Sequence, residues 1–334
     1  MNRKAILVVG GAGYIGSHVT KVLVKQGYIP VILDDLSTGH RGALSALPEV
    51  PFYQGCASNR NLVTSIVRNH NISSAMHFSA KALVGESVQF PLSYYDSNVS
   101  KTISLLEALH SAGVRHFVFS STCATYGEIT SPTIQEDLPQ NPINPYGKSK
   151  LMVEQILKDC ASYLGIHSCI LRYFNAAGAD PEGFLGEDHR PETHLIPIIV
   201  EKAIGRRPEF MINGNDYPTP DGTCIRDYIH VNDLADGHIQ ALEYSFNHKG
   251  CEDFNLGTGK GHSNLAVLQE VERVVGHKIE YKVGPRRPGD PPCLIADPSK
   301  ARRMLGWHAQ LGLTEIIEST VHWMKKHPQG YQSS

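Results

Sequence analysis

Short apolar runs alternate with longer amphipathic ones through the first half of the chain. "KAILVV" (4–9) is apolar and rich in β-branched residues, so it predicts a strand. A glycine turn follows, and "YIGSHVTKVLVKQG" (14–27) then carries apolar residues at helical spacing with Gly27 as its C-cap. The pattern repeats. "YIPVILDD" (28–35), "AMHFS" (75–79), "HFVFSS" (116–121) and "HSCILRYF" (167–174) predict strands. Helices are expected over 61–70, over 91–113 up to Gly113, and over 147–165. Strands alternating with helices predict a doubly wound α/β fold, a parallel sheet with helices on both faces. The alternation breaks after Asn175, where Gly, Pro and Asp interrupt shorter segments.

The turn after the first strand reads Gly11-Ala12-Gly13-Tyr14-Ile15-Gly16. One glycine permits a tight turn, one lets backbone approach a pyrophosphate, and one lets helix pack close to strand. The diphosphate then sits on the helix N-terminus, where unpaired N–H groups and the dipole favour negative charge. Asp34 and Asp35 end the second strand about 20 residues on, where an acid binds a ribose 2′-hydroxyl and repels a 2′-phosphate. This is a Rossmann-like dinucleotide site that favours NAD over NADP. We expect residues 1–175 to form that domain. Residues 176–334 are expected to form mainly a smaller mixed α/β substrate-binding lobe, interleaved with it through strands and helices returning from about 225–260.

In "NPINPYGKSK" (141–150), Tyr146 and Lys150 stand four residues apart. In a helix they share one face. A phenol titrates near ~10, and a nearby cation favours the phenolate. Reaching ~7 takes about 4 kcal/mol of differential stabilisation. Lys150 can supply part of it and an oxidised nicotinamide more, giving a base that takes a proton from a sugar alcohol while hydride leaves its carbon.

Composition narrows the partners. Among 334 residues, 41% are hydrophobic and net charge is −2, so nothing favours nucleic acid or an anionic membrane. No apolar run approaches the ~20 residues of a membrane helix, and "MNRKAILVVGG" is too short a run for a secretory signal. Seven scattered cysteines without a Cys-x-x-Cys pair read as reduced cytosolic thiols. The 17 histidines show no ligand spacing; His189 and His194 share a loop near acidic residues and read as solvated loop or substrate contact, so no metal is expected.

The glycine turn, "SSTCATYGE" and Tyr146-x-x-x-Lys150, in that order, resemble the extended short-chain dehydrogenase/reductase family. "HFSAKALVGES", "PLSYYDSNV", "NPYGKSKLMVEQIL", "LRYFNAAGADPEG", "GNDYPTPDGTCIRDYIHVNDLADGH", "NLGTGKG", "PRRPGD" and "HPQGY" are similar to the UDP-galactose (UDP-glucose) 4-epimerase branch along nearly the whole chain. The resemblance implies tightly bound NAD, a UDP-sugar substrate and a homodimer, with helices 91–113 and 147–165 as candidates for its bundle. It implies Tyr146 as base, Lys150 as electrostatic partner and ribose ligand, and Thr122 on the sugar's reacting oxygen. Gly10, Gly13, Tyr14, Ile15, Gly16, Asp34, Asp35, Cys56, Ala57, Phe78, Ser79, Ala80, Asn98 and Tyr173 would complete the cofactor site. Asn175, His194, Leu195, Arg226, Arg287, Asp290 and Leu294 would bind the UDP-sugar, with the arginine forks on phosphate oxygens.

Three departures stand out. Val9 replaces a frequent threonine. Cys56 stands where an aspartate usually contacts adenine, and a thiol is a weak donor and acceptor. Ala82 falls where some members carry a lysine on the nicotinamide ribose. Leu294 occupies the position that walls the pocket beside the hexose C2 substituent; its intermediate size favours plain hexoses and leaves pentoses or N-acetylhexosamines as alternatives. A 4,6-dehydratase would carry acidic residues after Thr122, where Cys123 and Ala124 stand. A non-catalytic NAD(P) sensor would have lost part of the triad.

Overall fold

The alternating apolar runs build one parallel sheet in the computed structural model, which describes residues 4–129, 131–287 and 289–332. The first half runs β1 (Ala5–Val9), α1 (Tyr14–Lys25), β2 (Ile29–Asp34), β3 (Phe52–Gln54), α2 (Arg60–His70), β4 (Ile72–His77), α3 (Val84–Gln89), α4 (Pro91–Tyr95), α5 (Lys101–Ser111), β5 (His116–Thr122), α6 (Pro145–Leu164) and β6 (His167–Tyr173). The second half adds β7 (Asn175–Ala177), α7 (Leu195–Ala203), β8 (Met211–Asn213), β9 (Ile225–Arg226), β10 (Tyr228–His230), α8 (Val231–Asn247) and β11 (Cys251–Leu256). It closes with β12 (His262–Ser263), α9 (Asn264–Val275), β13 (Lys282–Gly284), β14 (Cys293–Leu294), α10 (Ser299–Leu305) and α11 (Leu313–Lys326).

The sheet order is β11-β6-β5-β4-β1-β2-β3, and every pairing is parallel. Alternate residues of β1 point to opposite faces. Leu7 and Val9 join the core under α2, α5 and α6, while Ile6 and Val8 join the one under α1, α8 and α10. A third core gathers α7, α9 and α11. Strand order reverses between β1 and β4. Such a switch point opens a crevice at the carboxyl ends of the strands.

Local departures from the expected elements all fall beside that crevice. The strand expected over 75–79 is β4, from Ile72 to His77; Ser74, a polar residue, is fully buried in it, and the chain leaves the sheet at Phe78. The helix expected over 91–113 is continuous but carries a π-helical turn at Asp96–Ser100. Such turns mark functional positions often, and here it carries the buried Asn98. The helix expected from Gly147 begins at Pro145: Asn144 caps it by accepting the Gly147 N–H, so Tyr146 lies in the first turn.

One buried polar network supports β5 from behind. Arg172 on β6 forks onto Glu154 of α6, with Nη2 at 2.7 Å from Oε2, and reaches Tyr126 Oη at 2.9 Å and Asp253 at 2.8 Å. Ser121, next to Thr122, donates to the same Glu154. Removing one partner of a buried pair strands the other charge. Arg172→Met should therefore lower unfolding free energy by about 3–5 kcal/mol, measured by urea denaturation. A change below ~1 kcal/mol would show that Glu154 needs no cation.

Candidate active site

The glycine turn after β1 is register-shifted from the expected hexapeptide. Gly10, not Gly11, holds the left-handed conformation, with φ 84°. A Cβ on Gly10 would lie 2.6 Å from the Ser79 backbone nitrogen, and one on Gly16 would collide with the Gly10 carbonyl oxygen. A Cβ on Gly11 would meet only side chains, those of Ile32 and Val8. The working spacing is thus Gly10-x-x-Gly13-x-x-Gly16, and it brings β1 and the Phe78-Ser79-Ala80 segment after β4 together at the switch point. Gly13 caps α1 without any side chain, so the first amides of that helix, beginning at Tyr14 and Ile15, are free to meet an anion.

Asp34 ends β2 and braces this turn. Its two oxygens accept the amides of Ala12 at 2.9 Å and Leu36 at 2.8 Å. Burial pushes its carboxyl up, and those two amides oppose the shift. Asp35 is exposed and accepts only the nearby Ser37 amide. Asp34 is therefore the acid that faces the turn. Cys56 and Ala57 follow β3; the Cys56 thiol shares a hydrogen bond with Ser58 Oγ at 3.1 Å.

The glycine cradle, the uncapped helix end and the acid at β2 fit a dinucleotide. Lys150 fits it too. Its Nζ is buried and donates to the Ser120 carbonyl at 2.9 Å, leaving further N–H groups for ribose hydroxyls. Asn98 behaves otherwise. Its Oδ1 accepts the Lys81 amide at 2.8 Å, and its Nδ2 donates to the Lys81 carbonyl and Ser149 Oγ. No amide hydrogen is left for a ligand, so Asn98 ties the segment after β4 to α6. The Lys81 ammonium pairs with Glu86 at 3.1 Å and does not stand in for a lysine at position 82.

Tyr146, Thr122 and Tyr173 meet at the ends of β5, β6 and α6. Burial raises the Tyr146 phenol well above its ordinary value; Tyr173 adds to the rise, and hydrogen bonding to Thr122 opposes it. Burial lowers Lys150 to about 7, with Glu154 one turn on pulling the other way. Desolvation is the largest influence on both groups. Thr122 Oγ1 accepts the Ala124 amide at 3.2 Å, which turns the hydroxyl toward the cavity end of β5.

The second-lobe residues gather across from this turn. Arg226 of β9 pairs with Asp290 at 2.6 Å and lies opposite Leu294 in the β9–β14 ladder. Arg287 approaches the Asn213 side-chain amide, Nε at 3.0 Å. Asn175 begins β7 and donates its amide to the Asp227 carbonyl, beside Arg226. Leu294 packs with Tyr126, Phe174 and Cys123, and the Cys123 thiol feels Arg226. The Arg226 guanidinium and the turn after β5 are therefore neighbours. His194 is the N-cap of α7 and Leu195 begins it.

Two features escaped the sequence reading. Asp227 is fully buried and accepts from Thr258, Gly259 and Ala296, which fixes the β9–β14 arm. The Glu154–Arg172 pair was signalled by an arginine inside an apolar strand and a glutamate one turn beyond Lys150. A third grouping was not expected from spacing: Glu187, His189, Glu192 and His194 each offer a ligand atom, all within 4.8 Å of one another.

A family model described as GDP-mannose 4,6 dehydratase matches residues 7–320. The UDP-glucose 4-epimerase of Lactobacillus helveticus is 49% identical over 328 residues, 98% of this chain and 99% of that one. The chain belongs to the UDP-glucose 4-epimerase family. The family fold is shared closely with the Brucella ovis enzyme in complex with NAD (44% identity, 99% and 100% coverage, TM-score 0.92). It is shared as closely with the Stenotrophomonas maltophila enzyme, solved with bound NAD and formylated UDP-arabinopyranose (38% identity, 98% and 99% coverage, TM-score 0.95).

Since Thr122 opposes the rise of the Tyr146 phenol, removing its hydroxyl should raise the pKa of the base. Activity that needs the phenolate is lost on the acid side, so the acid limb of the kcat/KM profile should move to higher pH in Thr122→Ala and return in Thr122→Ser. An unmoved limb in Thr122→Ala would detach Thr122 from the base.

Proposed function

We propose that this chain interconverts UDP-galactose and UDP-glucose by inverting C4 through a transient 4-keto sugar, with NAD held throughout. The observation that carries this is the gathering of half-buried Tyr146 with buried Thr122 and Lys150 at the end of β5, where Cys123 neighbours the Arg226–Asp290 arm. NAD, when bound, takes hydride from C4 and returns it. The chain supplies the rest. Tyr146 takes the C4 hydroxyl proton and gives it back, while Thr122 hydrogen-bonds the same oxygen. Lys150 holds the nicotinamide ribose through its spare N–H groups and adds positive charge beside the phenol. Gly10, Gly13 and Gly16 with the start of α1 hold the diphosphate, and Asp34 binds the adenosine ribose. Arg226 and Arg287 grip the UDP diphosphate, which supplies binding energy while the sugar turns over.

Dehydration needs an acid and base after Thr122. Ala124 has neither, and burial pushes the Cys123 thiol up to about 12. This favours epimerisation over the 4,6-dehydratase chemistry named by the family model.

Leu294 sets the substrate range. It opposes Arg226 in the β9–β14 ladder and packs on the same small core as Cys123, which supports its place at the gate, while Cys293 faces the other way along the strand. An acetamide at C2 would meet it, at a cost of about 1–3 kcal/mol for an overpacked site. Pentoses are a second reading, favoured by the UDP-arabinopyranose derivative bound in the S. maltophila enzyme. On one preparation, kcat/KM should be ~10–100-fold higher for UDP-galactose than for UDP-N-acetylgalactosamine, with UDP-arabinose accepted. Equal values for the two hexoses would remove Leu294 from the gate, and a clear preference for the pentose would make that its substrate.

The homodimer forms on α4–α6. Val88, Phe90, Leu92, Ile103, Met152 and Leu164 are large apolar side chains exposed along these helices and their approach. Seven unpaired cysteines suit the cytosol. Leu92→Glu should shift the protein from dimer to monomer in light scattering at micromolar concentration. An unchanged dimer would place the interface elsewhere.

A further inference from the structure

We infer that Glu187, His189, Glu192 and His194 form a binding site for a divalent transition-metal ion of the zinc type. The four lie on one loop between β7 and α7, outside the catalytic turn. Two imidazole nitrogens and two carboxylate oxygens are a borderline donor set that suits Zn2+. Around a tetrahedral zinc with bonds of ~2.0 Å, ligand atoms stand about 3.3 Å apart. The separations here bracket that value. Nδ1 of His194 lies 2.7 Å from Glu187 Oε1 and 3.2 Å from Glu192 Oε1. Nδ1 of His189 lies 3.0 Å from Glu187 Oε1 and 3.8 Å from Glu192 Oε2.

The donors are also held and aimed. Glu192 Oε1 accepts the amides of Thr193 and His194, at 2.7 and 2.8 Å, which fixes the carboxylate and leaves Oε2 turned to His189. The Glu187 side chain is 4% exposed and its carboxylate faces both rings. His189 Nδ1 is buried and makes no hydrogen bond, although Glu187 Oε1 is only 3.0 Å away. That contact leaves the ring nitrogen without a well-aligned partner. A cation seated among the four donors would satisfy it. Behind the cluster, Tyr14 sets its ring edge-on to His189, with centroids 6.3 Å apart. The next loop residue, Asp188, accepts from His40 at 2.7 Å through its carbonyl. A bound ion would thus clip the start of α7 to the glycine-turn side of the molecule.

A cluster of this kind can also be closed by protons alone, and the experiment separates the two. Holoenzyme freed of any affinity tag is treated with chelator, dialysed and titrated with Zn2+ alone against a chromophoric competitor. Co2+ is then added in place of Zn2+ and its visible spectrum recorded. The expected result is one Zn2+ per chain and the intense absorption of four-coordinate Co2+. His189→Gln and Glu192→Gln should each weaken binding by at least ~10–100-fold. His189 is half-buried and the Glu192 side chain only 6% exposed, so circular dichroism with NAD content checks that each variant folds. Sub-stoichiometric Zn2+, a spectrum of six-coordinate aqueous Co2+, or equal affinity in folded variants would overturn the site.

Discussion

Half-buried Tyr146 and buried Lys150 lie one turn apart at the start of α6, and among the described residues neither pairs with a carboxylate of its own. Glu154, the acid within one turn of Lys150, is already saturated by Arg172, Ser121 and Gln140. Burial therefore disfavours both charged forms: the phenol rises and the lysine falls to about 7. Positive charge placed beside such a phenol favours its ionised form. An oxidised nicotinamide is such a charge, and the crevice between β1 and β4 opens onto the same strand ends. Bound there, an oxidised cofactor would supply that charge beside Tyr146 and so favour proton removal. Electrostatic effects of that charge are also larger there than in water.

The scaffold explains why the pocket is dry and fixed. Three consecutive strands, β4, β5 and β6, are fully covered on both faces by helices, so their carboxyl ends present side chains from a rigid floor. Asn98 spends its amide on the Lys81 backbone and Ser149, which stitches the segment after β4 to α6. Asp227 does the same for the β9–β14 arm that carries Arg226 and Leu294. Buried polar groups that are fully paired specify one arrangement, and here each pairing sits one residue or one turn from a functional side chain.

The strands were legible because buried parallel strands are continuous apolar runs, and "KAILVV" or "CILRYF" has no other reading at that length. Glycine and proline marked the turns. Register within the glycine turn was not legible: three of four residues from Gly10 to Gly13 are glycine, and only the left-handed φ of Gly10 and its approach to Ser79 single it out. The π-helical turn at Asp96–Ser100 left no trace, since none of its residues forbids an ordinary helix. Spacing placed Tyr146 and Lys150 on one face but could not weigh burial against their attraction. The loop cluster at Glu187–His194 was legible only in part: His189 and His194 stood out beside acidic residues, but their spacing did not show four donors converging. Its residues follow neither helical nor strand spacing, so only the fold of the loop brings them together.

The most direct test follows one hydrogen. UDP-galactose carrying deuterium at C4 is incubated with the holoenzyme in ordinary water, and the UDP-glucose formed is examined by NMR and mass spectrometry. If hydride leaves C4 and returns to the opposite face within one closed, buried site, the product keeps deuterium at C4. Loss of the label to solvent would mean that C4 is inverted through a proton removed from carbon, and the roles given to Tyr146 and the buried pocket would fall with it.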